Sequence, residues 1–244
     1  MKLKMMAAGV ALAAGLATTA TADEFFWEWN VGDTGVNNNG GAIEYIKALY
    51  NEDNHRFVWD VTFSNQITEG YTLAVSPGPN PKGISGELAL IYFDASGVSP
   101  IVSVYGYNGV NALTSYKDGQ PQSGDQTPDR VATSIVDFPF VNEATVTDFD
   151  GKRRLRLALN ASVVQNHIPP MNPGDWTGLA FGDQIGVWFH PVKNLSTTYG
   201  QDGFLASWSG NDGWLDGSGF RTTPTPGALA LLGLGGLCAT RRKR

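Results

Sequence analysis

The chain has 244 residues, of which 11% are aromatic and 16% are charged, and its 17 Lys and Arg face 23 Asp and Glu. Six of the basic residues lie at the two ends, so residues 23–226 carry 11 basic and 23 acidic residues, a net charge of −12. This charge argues against nucleic acid and anionic membranes as partners and leaves cations or neutral ligands such as sugars. The one cysteine, Cys238, lies near the C-terminus, so the body is predicted to fold without a disulfide.

The first 22 residues have the pattern of a secretory signal peptide. Lys2 and Lys4 precede a short run of small apolar residues, and Ala20 and Ala22 form an A-x-A site. We therefore expect export through the Sec machinery and cleavage before Asp23. A retained N-terminal anchor is the alternative, but the apolar run is short for a membrane span.

We treat the body, residues 23–222, as a single domain. Apolar and polar residues alternate along its first half as they do in β-strands. Residues 25–29 fit a short strand, and "RFVWDVTF" places Phe57, Trp59, Val61 and Phe63 on one face. The stretch before it, in which Ile43, Ile46 and Tyr50 fit the helical spacing i, i+3 and i+7, fits either a nine-residue helix or a strand. A strand is preferred because "NEDNH" then forms the loop of a hairpin.

The second half continues in the same way. "GYTLAVS" and "PIVSVYGYNG" read as strands, and "ELALIYFDAS" is apolar on both faces, which predicts a central strand. Asp150 and Gly151 predict a type I′ hairpin turn that leaves Arg154 and Arg156 in water. "DQIGVWFHP" and "GFLASWSG" add two late strands. About ten short strands predict an all-β antiparallel sandwich, with a jelly roll as one option.

The body offers no strong catalytic pattern, and we predict no catalytic residues and no enzyme. His55, His167 and His190 form no close pair, and nearby prolines predict loop-end positions for His167 and His190. No G-x-S-x-G motif occurs. A glycosidase needs two suitably placed carboxylates. Candidates are Glu69, Glu87, Asp94 and Glu143, but solvated strand ends explain them better.

Two loop patterns suggest ligands other than substrates. In "SGNDGWLDGSG", Asn211, Asp212 and Asp216 lie among glycines, which suits calcium or simply turn formation. Trp176, Trp208 and Trp214 lie near glycine-rich loops and polar residues, so they are candidates for stacking on sugar rings. Trp59 and Trp188, on alternating strands, are expected in the core.

The C-terminal segment, residues 223–244, has three parts. Pro224, Thr225, Pro226 and Gly227 precede thirteen uncharged residues, 228–240, which are followed by Arg241, Arg242, Lys243 and Arg244. A helix of thirteen residues is about 20 Å long, short of the roughly 30 Å hydrocarbon core. Its basic end should stay cytoplasmic.

This segment resembles a PEP-CTERM sorting signal, with Thr225 where the family motif has Glu. The resemblance covers about the last 21 residues. It implies recognition by a membrane enzyme of the exosortase type and an address on the cell envelope or in the extracellular matrix, with at least transient anchoring by a short C-terminal helix.

Three functions follow as expectations. The first is a non-enzymatic, exported envelope or matrix protein without a required cofactor. The second is a surface module that binds polysaccharide, with or without calcium, and an exposed row of tryptophans beside a groove would favour it. The third is a carbohydrate-active hydrolase, which would require a cleft with two convergent carboxylates.

Overall fold

The computed structural model describes residues 24–30, 36–76, 88–107, 129–167 and 186–216. Its thirteen strands, in chain order, are β1 Glu24–Asn30, β2 Val36–Asn37, β3 Ile43–Asn51, β4 Arg56–Phe63, β5 Gly70–Ser76, β6 Leu88–Asp94, β7 Ile101–Tyr107, β8 Asp129–Thr133, β9 Val141–Phe149, β10 Lys152–Asn160, β11 Gly186–Tyr199, β12 Leu205–Asp212 and β13 Trp214–Asp216. The described helices are short: α1, Ser162–Gln165, and two 3₁₀ turns, Asn38–Gly40 and Phe138–Phe140.

The strands form two antiparallel sheets that pack together as a sandwich. Sheet A has the order β1-β3-β4-β10-β9, and sheet B has the order β2-β13-β11-β5-β6-β7-β8, with β12 paired to β11. The predicted all-β sandwich is confirmed. β5 to β8 form a meander, and β11 returns to lie beside β5, as the last strand of a Greek key does. Sheet B therefore combines a meander with one Greek-key connection, whereas a jelly roll contains two Greek keys.

The main core lies between the sheets and follows the predicted alternation. Phe57, Trp59, Val61 and Phe63 of β4 are fully buried. They face the inward side chains of sheet B, among which the Phe189 ring lies 5.3 Å from that of Trp59. Burying side chains of this size contributes about 1.5–3 kcal/mol each, so this layer is the main source of stability.

The ambiguous segment at residues 43–50 is a strand, as preferred. β3 pairs with β1 on one side and β4 on the other. Ile46, Ala48 and Tyr50 are buried at alternate positions, a spacing of two that only a strand can place on one face. The "NEDNH" segment forms the predicted hairpin turn, with His55 at φ 52°.

The outer face of sheet A carries an ion-pair network. Arg154 and Arg156 point away from the core as predicted, but they bind Asp60 rather than only water. The Arg154 Nε and the Arg156 guanidinium each donate to Asp60 at 2.7 Å, and Arg156 also donates to Glu143 at 3.0 Å. Burial raises the pKa of the Asp60 carboxyl, but hydrogen bonds from the two arginines outweigh this and lower it overall.

β11 differs from its predicted form, because it continues through Pro191 to Tyr199. The carbonyl of Pro191 accepts a hydrogen bond from the amide of Gly213 at 2.8 Å. Gly213 is the residue at which β12 gives way to β13. Pro191, which has no N–H to donate, therefore faces the break between β12 and β13, where the sheet requires no hydrogen bond from its nitrogen.

Several predictions fall outside the described residues. They include the signal-cleavage residues Ala20, Ala22 and Asp23 and the whole C-terminal segment, residues 223–244. Within the described residues, no helix is both long enough and apolar enough to cross a bilayer.

The β9–β10 hairpin gives a test of the predicted turn. Asp150 and Gly151 have φ values of 47° and 76°, as a type I′ turn requires. A Cβ on Gly151 would meet no atom within 4 Å, so Gly151→Val acts through backbone strain alone. We expect a loss of about 1–3 kcal/mol in the free energy of unfolding, measured by urea denaturation.

Gly97→Val is the matched control. Gly97 does not have a positive φ, and a Cβ there would approach only the Ser99 carbonyl, at 3.7 Å. This variant should unfold like the parent. Equal stability of Gly151→Val and Gly97→Val would contradict the strained turn.

Candidate functional site

Residues 194–212, which we call the flap, cover part of the outer face of sheet B. The pairing of β11 with β12 shifts between Lys193 and Ser196, and Asn194 there has a φ of 52°. This irregularity turns the second half of β11, and β12 with it, over the sheet. A second apolar cluster forms beneath the flap from Ala74, Leu90, Tyr92, Tyr105, Val192, Leu195, Phe204, Leu205 and Trp208.

Two carboxylates, the partly buried Glu69 and the buried Asp94, fasten the flap to the sheet. Glu69 Oε2 accepts the Leu195 amide at 2.7 Å. Asp94 Oδ2 accepts the hydroxyls of Thr197 at 2.6 Å and Tyr199 at 2.8 Å, while its Oδ1 accepts the amide and hydroxyl of Ser96. Burial raises the pKa of the Asp94 carboxyl, but these hydrogen bonds outweigh it and hold the pKa below its usual value.

Gly70 lets the flap approach closely. A Cβ at this position would lie 2.5 Å from the Phe93 carbonyl oxygen and 2.6 Å from a methyl carbon of Leu195. Only glycine leaves room there, so the start of β5 is shaped to receive the flap.

A groove of about 230 Å³ opens where the flap stops short of covering the sheet. Its floor consists of outward side chains of β5, β6 and β11, and one wall is the flap. The lining residues are Thr72, Ala74, Leu90, Tyr92, Trp188, His190, Val192, Trp208, Gly210 and Asp212. Alternation explains the wall, because residues 208, 210 and 212 of β12 share one face.

Aromatic rings meet at steep angles around the groove. The Tyr92 and Trp208 rings are 5.1 Å apart and inclined at 73°. The Trp188 and His190 rings are 4.6 Å apart and inclined at 69°. Ring faces therefore point in more than one direction, which suits a small ligand with apolar C–H surfaces.

One polar pair lies among these rings. His190 Nδ1 is 3.4 Å from Asp212 Oδ2, and the Asp212 side chain remains 54% exposed. Its oxygens can accept further hydrogen bonds, so the groove combines stacking surfaces with an accessible acceptor.

The three tryptophans predicted to contact ligands have different positions. Trp208 lines the groove. Trp214 is 41% exposed, and extending the pairing of β11 with β13 by one residue places it beside His190 at the edge. Trp176 lies outside the described residues.

Two residues of the groove were misjudged from the sequence. Trp59 is in the core as predicted, but Trp188 lines the groove, because it has the opposite parity to the inward Val187 and Phe189. The proline beside His190 predicts a loop-end position for this residue. The passage of β11 through Pro191 places it mid-strand instead.

The predicted calcium ligands do not converge as a group. Asp212 faces the groove, whereas its neighbour Asn211 points to the other side of β12. Asp216 pairs with Trp188 through the backbone, and its side chain is not among the described ones. Within the described residues, no three His, Cys, Asp or Glu side chains come close enough to hold a metal ion.

The carboxylates considered for hydrolysis have other partners. Glu69 and Asp94 hold the flap, and Glu143 pairs with Arg156 on the outer face of sheet A. Glu143 therefore shares no cleft with the other two. Glu87 lies outside the described residues.

Asp94 gives a test of how the flap is held. Asp94→Asn should lower the free energy of unfolding by about 1–3 kcal/mol at neutral pH, because the amide has one acceptor oxygen for four donated hydrogen bonds. Since the pKa of Asp94 is lowered in the folded protein, the stability it contributes is present above the ordinary carboxyl pKa near 3.8 and is lost as the pH falls through the folded pKa. Urea denaturation at neutral and acidic pH measures this.

The control is Asp53→Asn in the exposed β3–β4 turn, which should unfold like the parent at each pH. The stability gap between the parent and Asp94→Asn should close in acid. A gap that stayed constant with pH would contradict the role of the charged Asp94 carboxylate.

Comparison with known proteins adds no family to this description. No family model, no curated protein and no solved structure matches the chain. The functional assignment therefore rests on the groove and on the residues of the chain itself.

Proposed function

We propose that this protein is a non-enzymatic, exported protein of the cell envelope or extracellular matrix, and that its β-sandwich binds carbohydrate in the groove on sheet B. The observation that carries the proposal is the meeting of Tyr92, Trp188 and Trp208 with the His190–Asp212 pair in one opening.

Sugar rings match this lining chemically. A pyranose has C–H surfaces that pack on aromatic rings and hydroxyls that bond to carboxylate and imidazole groups. The volume of about 230 Å³ is below the range of roughly 300–1,000 Å³ for pockets that hold drug-sized ligands. The groove therefore suits one sugar unit of a longer chain.

Binding is favoured over hydrolysis by the positions of the carboxylates. A glycosidase places two of them about 5–10 Å apart across the scissile bond. Of the described residues that line the groove, Asp212 is the one carboxylate.

Calcium-assisted binding is tested by repeating each titration with calcium and with a chelator.

Export and sorting are proposed from the sequence. Residues 1–22 supply the signal peptide, and residues 223–244 supply the PEP-CTERM-like segment that a membrane enzyme would recognise. A body with a net charge of −12 suits a soluble, outward-facing position.

The groove is tested by removing one aromatic wall. Trp188 is only partly buried, so Trp188→Ala should fold. We expect its affinity for the best ligand from a glycan array to fall about tenfold, since tryptophans dominate the energy of such contacts. Isothermal titration calorimetry measures this.

Phe149→Ala is the control, because Phe149 is 40% exposed and lies at the end of β9 in the other sheet. It should bind like the parent. If Trp188→Ala binds with the affinity of the parent, the binding site lies outside this groove. If the parent binds no glycan, the proposal is wrong.

The sorting segment is tested by the ends of the mature protein. The apolar run is short for a lasting anchor, and the prolines before it would disfavour a helix and leave the chain open to a protease. We expect protein from the envelope of the native host to begin near Asp23 and end near Pro226. Intact-mass and terminal-peptide analysis measure both ends.

Replacing the four terminal basic residues with serine should release unprocessed protein to the medium, because the cations hold the segment at the cytoplasmic face. Peptides containing Cys238 in most of the mature protein would show a retained anchor. Normal trimming of the serine variant would show that the cations are not needed.

A further inference from the structure

We propose that the groove selects a positively charged sugar, namely an amino sugar with a free ammonium group. This inference rests on the proposed carbohydrate binding and adds the charge of the ligand.

The aromatic lining favours a cation. A cation over an aromatic face is attracted by the negative charge of that face, most strongly for tryptophan, and groups of such rings form cages around ammonium ligands. Trp188, Trp208 and Tyr92 all line the groove. Trp188 is more exposed than Tyr92 and Trp208, which are 2% and 7% exposed, and the rings of Tyr92 and Trp208 meet at 73° rather than stacking in parallel.

The polar group beside these rings is an acid. An ammonium group has three donors and no acceptor, and a carboxylate has only acceptors, so the two are complementary. Asp212 has one oxygen near His190, and its side chain remains 54% exposed. It can therefore receive a second donor from a ligand.

The charges around the groove also favour a cationic ligand. The described residues that line the groove include Asp212 and His190, which is charged only when protonated, but no lysine or arginine. The body carries a net charge of −12, which raises the local concentration of cations. Asp212 would repel a sugar acid, and a neutral sugar would gain no attraction from the net charge.

Four monosaccharides that differ mainly in charge test the proposal. D-glucosamine, N-acetyl-D-glucosamine, D-glucose and D-glucuronate are titrated into the purified full chain at neutral pH and low salt, and binding is followed by NMR. We expect glucosamine to bind about fivefold more tightly than glucose. N-acetylglucosamine should bind no better than glucose, and glucuronate should bind least.

Asp212→Asn isolates the charge, since it keeps the shape of the side chain. It should bring the affinities for glucosamine and glucose within about twofold of each other. Asp53→Asn removes one charge from the distant β3–β4 turn and should keep the full preference. Added salt should reduce the preference of the parent.

The outcomes separate the two proposals. If glucose or N-acetylglucosamine binds as tightly as glucosamine, or if Asp212→Asn keeps the preference, the inference about charge is wrong and carbohydrate binding stands. If none of the four sugars binds and the glycan array is also empty, carbohydrate binding fails and the inference falls with it.

Discussion

Sheet B is apolar on both faces, and the rest of the structure follows from the need to cover both. Its central strands turn Leu73, Ile91 and Phe189 to one side and Ala74, Leu90 and Tyr92 to the other. Sheet A covers the first set. The chain covers the second with its own flap, by breaking the regular pairing of β11 after Lys193. Without that irregularity, the rings on the outer face would remain in water, at a cost of about 25 cal/mol for each Å² of apolar surface.

The groove is a consequence of this incomplete cover. The flap buries Tyr105 and packs its own Trp208 against the sheet, but it ends before it covers Trp188 and His190. These two partly buried rings therefore lie beside an opening. The acceptors Glu69 and Asp94 fix the flap at points away from the opening. The wall that carries Trp208 and Asp212 is thereby set before a ligand arrives, which lowers the entropy lost on binding.

Charged residues have different roles on the two outer faces of the sandwich. On sheet A, Asp60 is held by Arg154 and Arg156, so its charge is largely compensated within the protein. In the groove on sheet B, Asp212 lies beside a histidine and keeps half of its side chain exposed. The first arrangement stabilises the surface of a sheet, and the second leaves an acid that can interact with a ligand.

The sequence by itself determined the all-β class, the inward residues of β4 and the turn at Asp150 and Gly151, and it favoured a strand over a helix at residues 43–50. Each of these depends on residues within a few positions of one another, through the two-residue period of a strand or the positive φ of a type I′ turn. Trp208 was also recognised as a candidate ligand contact. The tertiary structure alone decided the position of Trp188, the place of His190 in mid-strand and the meeting of both with Asp212. All three depend on how β11 passes Pro191 and then bends. Contacts with β5, β6 and β12 set that course, and contacts between distant segments produce no periodic pattern in the sequence.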